Sequence, residues 1–210
     1  MRATSTEAEA DEVWAAASTV EEVSNAMCAF LDGTLPVSPW HRAPLNDESR
    51  PSAQAFRSMV NLGLIPTNSQ PGQRPKLVAR LFGAPTMREY VTGLIPGGHL
   101  VGLLSHLPTE PYRVRMRAAG DDSPRGAYAY PVTWSGLTRK PTSRLASMKP
   151  QGLSGDPWGL SPSLVKLLGE EMAVVEIVAR EPGPSGLLGD VLTALVRGET
   201  ERGQSPEGDR

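Results

Sequence analysis

The sequence predicts a single α+β domain in which a mostly antiparallel sheet is flanked by about four to five helices. Segments with helical periodicity come before, between and after the predicted strands, without regular βαβ units. The chain of 210 residues contains 21 Gly and 20 Pro, which indicates many turns but not a disordered composition. Hydrophobic residues make up 39%, which is enough for one core.

Composition also limits the classes of function. We expect an acidic, disordered tail over residues 1–12, one domain over 13–198 and a disordered tail over 199–210. A single cysteine, Cys28, excludes an intramolecular disulfide, and no Cys/His cluster has zinc-ligand spacing, so we expect no metal site. Without a signal sequence or spanning segment we expect a cytoplasmic protein with no membrane partner. A net charge of −2 argues against general nucleic-acid binding.

The first part of the chain contains well-marked helix boundaries. Thr19 and Glu22 form a capping-box pattern that opens a helix, and Gly33 follows its end. Ser49 is a candidate N-cap for a helix that Gly63 terminates. The predicted elements here are a short helix over 11–17, a helix over 20–31, an irregular loop over 34–46 and a helix over 51–62.

The middle of the chain is predicted to alternate between strands and turns. Residues 64–68 form a short edge strand because of Pro66, and Pro71 and Gly72 favour a type II turn after it. Residues 76–82 are predicted as a strand, and Thr86 with Glu89 suggests a capping box for a helix ending at Ile95.

The remaining elements follow from alternation and caps. Residues 112–118 and 127–134 alternate and are predicted to pair as a hairpin, with Arg113, Arg115 and Arg117 on one face. That face is either solvated or a platform that binds an anion or RNA. Residues 99–107 are either a buried strand or a short helix, and the length and Gly102 favour the strand. The other predictions are a strand over 172–180, a loop over 140–156, and helices over 162–171 and 185–198.

Residues 64–74 are the strongest candidate for a binding segment. They concentrate uncharged hydrogen-bonding groups at the end of a strand, and Pro71 limits the conformations of the turn, which lowers the ordering cost of binding a polar ligand. Arg74 is a candidate clamp for a carboxylate or phosphate. The competing interpretation is that the same groups satisfy the backbone of the turn. The candidate ligand-binding residues are Thr67, Asn68, Ser69, Gln70, Gly72 and Arg74.

Catalysis at this segment would need a titratable partner. Ser69 is the candidate nucleophile, and Asp47 and Glu48 are the candidate acid/base residues. The sequence has no G-x-S-x-G context around Ser69, which argues against a hydrolase triad. The alternative bases are His41, His99 and His106.

The same segment resembles a known family. Asn61, Gly63 and the T-x-S-Q-P-G run from Thr67 to Gly72 are similar to the signature of an uncharacterised family, a domain of unknown function found in actinobacteria, phages and large DNA viruses. Trp14–Ala17 resembles its W-x-x-A helix, and residues 47–49 resemble its acidic segment. The resemblance implies a shared fold and a polar pocket around Ser69 and Gln70, and it names no reaction.

We therefore expect a cytoplasmic enzyme or enzyme-like domain that binds a polar metabolite through residues 67–72. A nucleoside, nucleotide or amino-acid derivative of specialised metabolism is the expected ligand, and the sequence names no cofactor. The alternative is a non-catalytic module that senses a ligand or docks a protein. A homodimer built through the 112–134 hairpin is compatible with either.

Overall fold

The α+β fold is confirmed by a computed structural model, which describes residues 5–119, 130–135, 140–145 and 160–204. This part of the chain contains seven α-helices, more than the four or five expected, and a 3-10 turn over Arg50–Ser52. The helices are α1 (Glu7–Ala16), α2 (Val20–Leu31), α3 (Ala53–Asn61), α4 (Leu77–Leu81), α5 (Gly97–His106), α6 (Pro162–Glu171) and α7 (Leu187–Gln204). The strands are β1 (Ile65–Gln70), β2 (Thr86–Met87), β3 (Tyr90–Pro96), β4 (Tyr112–Arg117), β5 (Tyr130–Ser135), β6 (Lys140–Leu145) and β7 (Met172–Ala179).

The strands form two antiparallel sheets. The main sheet has the order β1-β3-β7-β4, so β1 is an edge strand as Pro66 predicts. The second sheet has the order β2-β5-β6. Strand β7 is buried over its whole length, which explains its continuous run of apolar residues around Glu176.

One large hydrophobic core joins the helices to the main sheet, and it includes Trp14, Phe56 and Ile177. A small separate cluster of Tyr90, Val132 and Val178 connects the second sheet to the main one. The second sheet is therefore attached through few apolar contacts, and polar bonds between the sheets matter more for its position.

The N-terminal helices begin at capping boxes. Helix α2 begins after the predicted box of Thr19 and Glu22, which is confirmed. A second box, Thr6 with Glu9, starts α1 at Glu7, within the segment predicted as a disordered tail. At the other end, α7 continues past Gly198 to Gln204, into the segment also predicted as a tail.

Three predictions in the middle of the chain are wrong. Residues 76–82 form helix α4, because their apolar residues recur with four-residue spacing and Gly83, with φ of +89°, ends the helix. The predicted helix from Thr86 to Ile95 is instead β2 and β3. Residues 99–107 belong mainly to α5, whose Gly102 lies against Gly198 of α7. This close approach brings His99 to Glu199 and His106 to Glu201.

The predicted hairpin between residues 112–118 and 127–134 is also wrong. Strand β4 pairs with β7 in the main sheet, whereas β5 pairs with β2 and β6 in the second sheet. Part of the predicted 140–156 loop is strand β6. The predicted turn at 120–126 lies outside the described residues.

The three arginines of β4 lie in different environments. Arg113 is exposed, whereas Arg117 is buried and Arg115 forms an ion pair of 2.5 Å with the buried Glu176 of β7. The interpretation of this face as uniformly solvated is therefore wrong. Arg115 compensates a carboxylate that would be costly to bury alone.

The tight turn predicted at residues 69–72 is not formed, because Ser69 and Gln70 continue β1 in register with β3. Gly72 is not among the glycines with positive φ, so its role is not that of a type II turn glycine. A Cβ atom added to Gly72 would lie 1.9 Å from the carbonyl oxygen of Gly183, so glycine is needed here for close backbone packing.

Candidate functional site

A cavity of about 180 Å³ lies where α2, α3, β1 and the loop between α2 and the 3-10 turn meet. Its wall combines an apolar part with a polar part, the composition that is typical of small-molecule sites. The main apolar residues are Met27, Phe30, Leu31, Trp40, Phe56 and Pro66. The polar residues are Ser38, His41, Asn46, Ser49, Thr67, Asn68 and Ser69.

The loop over residues 34–49 is held by contacts with α1 and by a turn of its own. The Nε1 atom of Trp14 in α1 donates to the carbonyl oxygen of Val37 at 3.0 Å. Arg42, the one described non-glycine residue with positive φ, closes a turn onto the carbonyl of Ser38 and pairs with Asp11 of α1. These contacts make the loop, and the cavity wall that it forms, a defined part of the fold.

The polar wall is organised by hydrogen bonds between the loop and β1. The His41 Nε2 atom lies 3.0 Å from the carbonyl oxygen of Thr67, so in the neutral ring Nε2 carries the hydrogen and donates it. The hydroxyl oxygens of Ser49 and Ser69 lie 3.4 Å apart. The side-chain oxygen of Asn46 accepts from the backbone N–H of Ser49 at 2.7 Å, which fixes Ser49 in place.

Thr67, Asn68 and Ser69 thus all lie at the cavity, as the predicted binding segment requires. The hydroxyl of Thr67 is buried and lies 2.9 Å from the hydroxyl of Thr92, so it anchors β1 to β3. Asn68 and Ser69 are less buried. Asn68 and Ser69 are therefore the residues of this group that are best placed to contact a ligand.

Gln70 has a different position. Its Nε2 atom donates to the carbonyl oxygens of Arg88 at 3.1 Å and Val132 at 3.4 Å, and its Oε1 atom accepts from Thr133 at 3.3 Å. The amide group therefore bridges the main sheet and the second sheet, and Gln70 does not line the cavity. Gly72 and Arg74 also lie outside it, and Arg74 is exposed beside Gly183.

The two candidate acid/base carboxylates are separated from this cavity. The Asp47 side chain is 97% exposed and forms an ion pair with Arg50. Glu48 lines a crevice of only about 10 Å³ that also includes Ser69, Gln70 and Tyr90. Among the described residues that line the larger cavity, His41 is the one with an acid/base side chain.

Burial shifts the pKa values of Tyr90 and Arg88, which lie where the main sheet meets the second sheet. Burial raises the pKa of Tyr90, while a hydrogen bond with the Asn68 side chain acts in the opposite direction. Burial also lowers the pKa of Arg88, whose guanidinium lies 4.9 Å from the ring centroid of Trp134. Tyr90 is thus neutral at physiological pH, and Asn68 connects it to the cavity wall.

Several cavity residues were not predicted from the sequence. Trp40, Ser49 and Phe56 have no motif that distinguishes them from ordinary core or cap residues. The available signal was a Trp-His pair inside a loop with three prolines, because a bulky aromatic side chain in such a loop needs a packing partner.

A comparison with protein families now identifies the chain. The model of the family described as "Domain of unknown function (DUF6919)" matches residues 9–196. The chain belongs to this family. No curated protein matches it. The match includes the cavity, the two sheets and the first part of α7 up to Val196, and it confirms the expected membership of an uncharacterised family.

Two absences hold for the residues described. No helix among them has both the length and the apolar character needed to cross a bilayer. Likewise, no three His, Cys, Asp or Glu side chains of the described ranges come together in a way that would hold a metal ion.

Proposed function

We propose that this member of the DUF6919 family binds a small polar metabolite, and that a ring-sized, uncharged part of the ligand enters the cavity beside β1. The observation that carries the proposal is the cavity itself, with an aromatic floor at Trp40 and Phe56 and a hydroxyl and amide wall at Ser69 and Asn68. Its volume of about 180 Å³ suits one ring, since an apolar protein cavity of about 150 Å³ binds benzene.

The charge of the wall supports a nucleoside, or an amino-acid derivative that inserts a neutral side chain, over a nucleotide. The described lining residues include no Arg, Lys, Asp or Glu. A charged group would lose its hydration in such a cavity without gaining an ionic partner. A base or a neutral side chain instead finds apolar contacts below and hydrogen-bonding groups at Ser49, Asn68 and Ser69.

A thermal-unfolding screen tests this proposal. The protein is heated with nucleosides, with the corresponding 5′-monophosphates and with amino acids and their amides. A ligand present at about 100 times its Kd adds about 2.7 kcal/mol to the unfolding free energy and raises Tm measurably. We expect the largest rise with a neutral compound and a smaller rise with its phosphorylated form.

Matched variants determine whether a rise comes from the cavity. Ser69→Ala is expected to reduce the rise, and Ser105→Ala, at an exposed site on α5, is expected to leave it unchanged. If no compound raises Tm, or if both variants respond like the wild type, the proposed function is wrong.

Catalysis is the second candidate function, and the position of His41 favours it. In the neutral ring the Nε2 hydrogen points to the carbonyl of Thr67, so Nδ1 carries the lone pair that a general base needs, on a residue that lines the same cavity as Ser69. His41→Gln would then retain binding of the compound found in the screen but abolish its conversion, measured by chromatography. Of the predicted acids, only Glu48 shares a crevice with Ser69, so the proposed site does not include Asp47.

The position of Ser69 distinguishes a docking module from a ligand sensor or an enzyme. A docking module needs Ser69 on an open surface, whereas the wall of a cavity suits a ligand sensor or an enzyme. A cytoplasmic location, a role in specialised metabolism, a homodimer and a distribution in actinobacteria, phages and large DNA viruses stay predictions.

A further inference from the structure

The segment between Gln73 and Met87 is a helical projection with an apolar surface. The backbone N–H of each of these two residues donates to the carbonyl of the other, at 2.9 and 2.8 Å, and closes the base of the projection. Helix α4 lies within it and makes few contacts with the other described elements. Four large apolar side chains are more than half exposed: Leu77 63%, Val78 64%, Leu81 57% and Phe82 87%.

These side chains form one stripe. Leu77 and Leu81 are four residues apart, as are Val78 and Phe82, so both pairs occupy neighbouring positions on one side of the helix. Single exposed apolar residues are common on protein surfaces, but a contiguous group marks an interaction site. An isolated helix of this length would not be stable in water. The fold therefore positions an apolar surface that it does not itself cover.

Basic residues accompany the stripe. Arg74 and Lys76 are exposed and Arg80 is half-buried, and none of the three joins an ion pair within the described ranges. The projection over residues 73–87 contains these three basic residues and no Asp or Glu, although the whole chain has a net charge of −2. This charge would complement an anionic occupant and would repel a second copy of the same surface.

We propose that α4 docks on the surface of an anionic lipid bilayer, with its apolar stripe among the acyl chains and its basic residues at the headgroups. A protein interface usually fixes its register with charges of both signs, whereas a bilayer surface offers negative charge without a pattern. A projection with one sign of charge and a protruding apolar stripe matches the bilayer better than it matches a protein groove. The sequence-based expectation of no membrane partner came from the lack of a spanning segment, which peripheral docking does not need.

Vesicle sedimentation of the full chain tests the proposal. We expect the protein to bind vesicles of phosphatidylcholine with phosphatidylserine, to bind pure phosphatidylcholine vesicles more weakly, and to dissociate as salt rises. In the vesicle-bound state the Phe82 ring would be buried among the acyl chains. Phe82→Ser removes this contact and should lower the partition coefficient about tenfold or more. Lys76→Gln should lower it about fivefold.

The control is Met116→Ser, which removes another apolar side chain that is 63% exposed, on the edge strand β4. It should leave vesicle binding unchanged. All three changed side chains are exposed, and circular dichroism checks that each variant folds.

Three results would overturn the proposal. The first is that the wild type does not bind the anionic vesicles at low salt. The second is that Phe82→Ser and Met116→Ser lose binding equally. The third is that the wild type sediments as a dimer and the Phe82→Ser variant as a monomer. The stripe would then bind a second copy of the chain.

Discussion

The two halves of the polar segment in β1 differ in what they contact, although they are adjacent in sequence. Thr67, Asn68 and Ser69 line the cavity, whereas Gln70 bridges two sheets and Gly72 lies against the backbone of Gly183. The comparison shows that a dense group of polar residues need not be one binding site. Part of it lines the cavity, and the rest joins β1 to the second sheet.

The largest effect is expected for Gly72→Ala. The new Cβ atom would lie 1.9 Å from a backbone oxygen of Gly183, so the two segments must separate. We expect a loss of unfolding free energy of about 3 kcal/mol or more, measured by urea denaturation. Gly189→Ala is the control, because its Cβ atom has no neighbour within 4 Å and alanine favours the α7 helix. A Gly72→Ala protein as stable as the wild type would contradict the close packing.

A smaller loss of stability is expected for Gln70→Ala. The variant removes the bonds to Arg88, Val132 and Thr133. It takes this donor from the part-buried carbonyl of Arg88, whereas the carbonyl of Val132 still accepts from the backbone N–H of Arg88. The cost should be about 1–3 kcal/mol in urea denaturation, while the folded variant keeps the affinity of the wild type for its ligand. Gln73→Ala, at an exposed position in the same segment, is the control and should change neither property. Lost affinity at unchanged stability would place Gln70 in the binding site.

Ser69→Ala should give the opposite pattern. Removing one neutral hydrogen bond lowers ligand affinity by about tenfold at most, and the unfolding free energy should change by less than about 0.5 kcal/mol because Ser69 is only partly buried. Calorimetric titration and urea denaturation of the same preparation measure both quantities. A variant that unfolds instead would make this half of the segment structural as well.

The smallest effect is expected for Arg74→Ala. Arg74 was predicted from the sequence as an anion clamp, but its side chain is exposed and does not line the cavity. Affinities for a nucleoside and for its monophosphate should both stay within about twofold of the wild type, below the cost of one hydrogen bond. If Arg74→Ala lost affinity for the monophosphate alone, Arg74 would contact the phosphate and would belong to the site.

The parts of the fold that the sequence predicted were those with local signals. The capping box at Thr19, the proline at the start of α6 and the apolar run of β7 each determine their element within a few residues. The predictions failed where tertiary contacts determine the secondary structure. Thr86 and Glu89 match a capping box, yet Glu89 accepts hydrogen bonds from Ser185 far along the chain, and residues 86–96 pair as strands.

The lining of the cavity was predicted in part for the same reason. The cavity-facing residues Thr67 to Ser69 follow from the concentration of polar groups, which is visible in the sequence. The opposite wall comes from Trp40, His41 and Ser49, which the loop between α2 and the 3-10 turn brings to β1. That contact depends on the path of a loop held by Trp14 and Arg42, and no local pattern encodes it.

The most direct test of the account is to fill the cavity. Ala43 lines it, and Ala43→Leu adds apolar volume there, whereas Ala79→Leu adds the same group at an exposed position on α4. Calorimetric titration with the compound that raises Tm most in the screen compares the two variants. The account predicts that Ala43→Leu loses binding and stays folded while Ala79→Leu binds like the wild type. Wild-type affinity in a folded Ala43→Leu variant would contradict it.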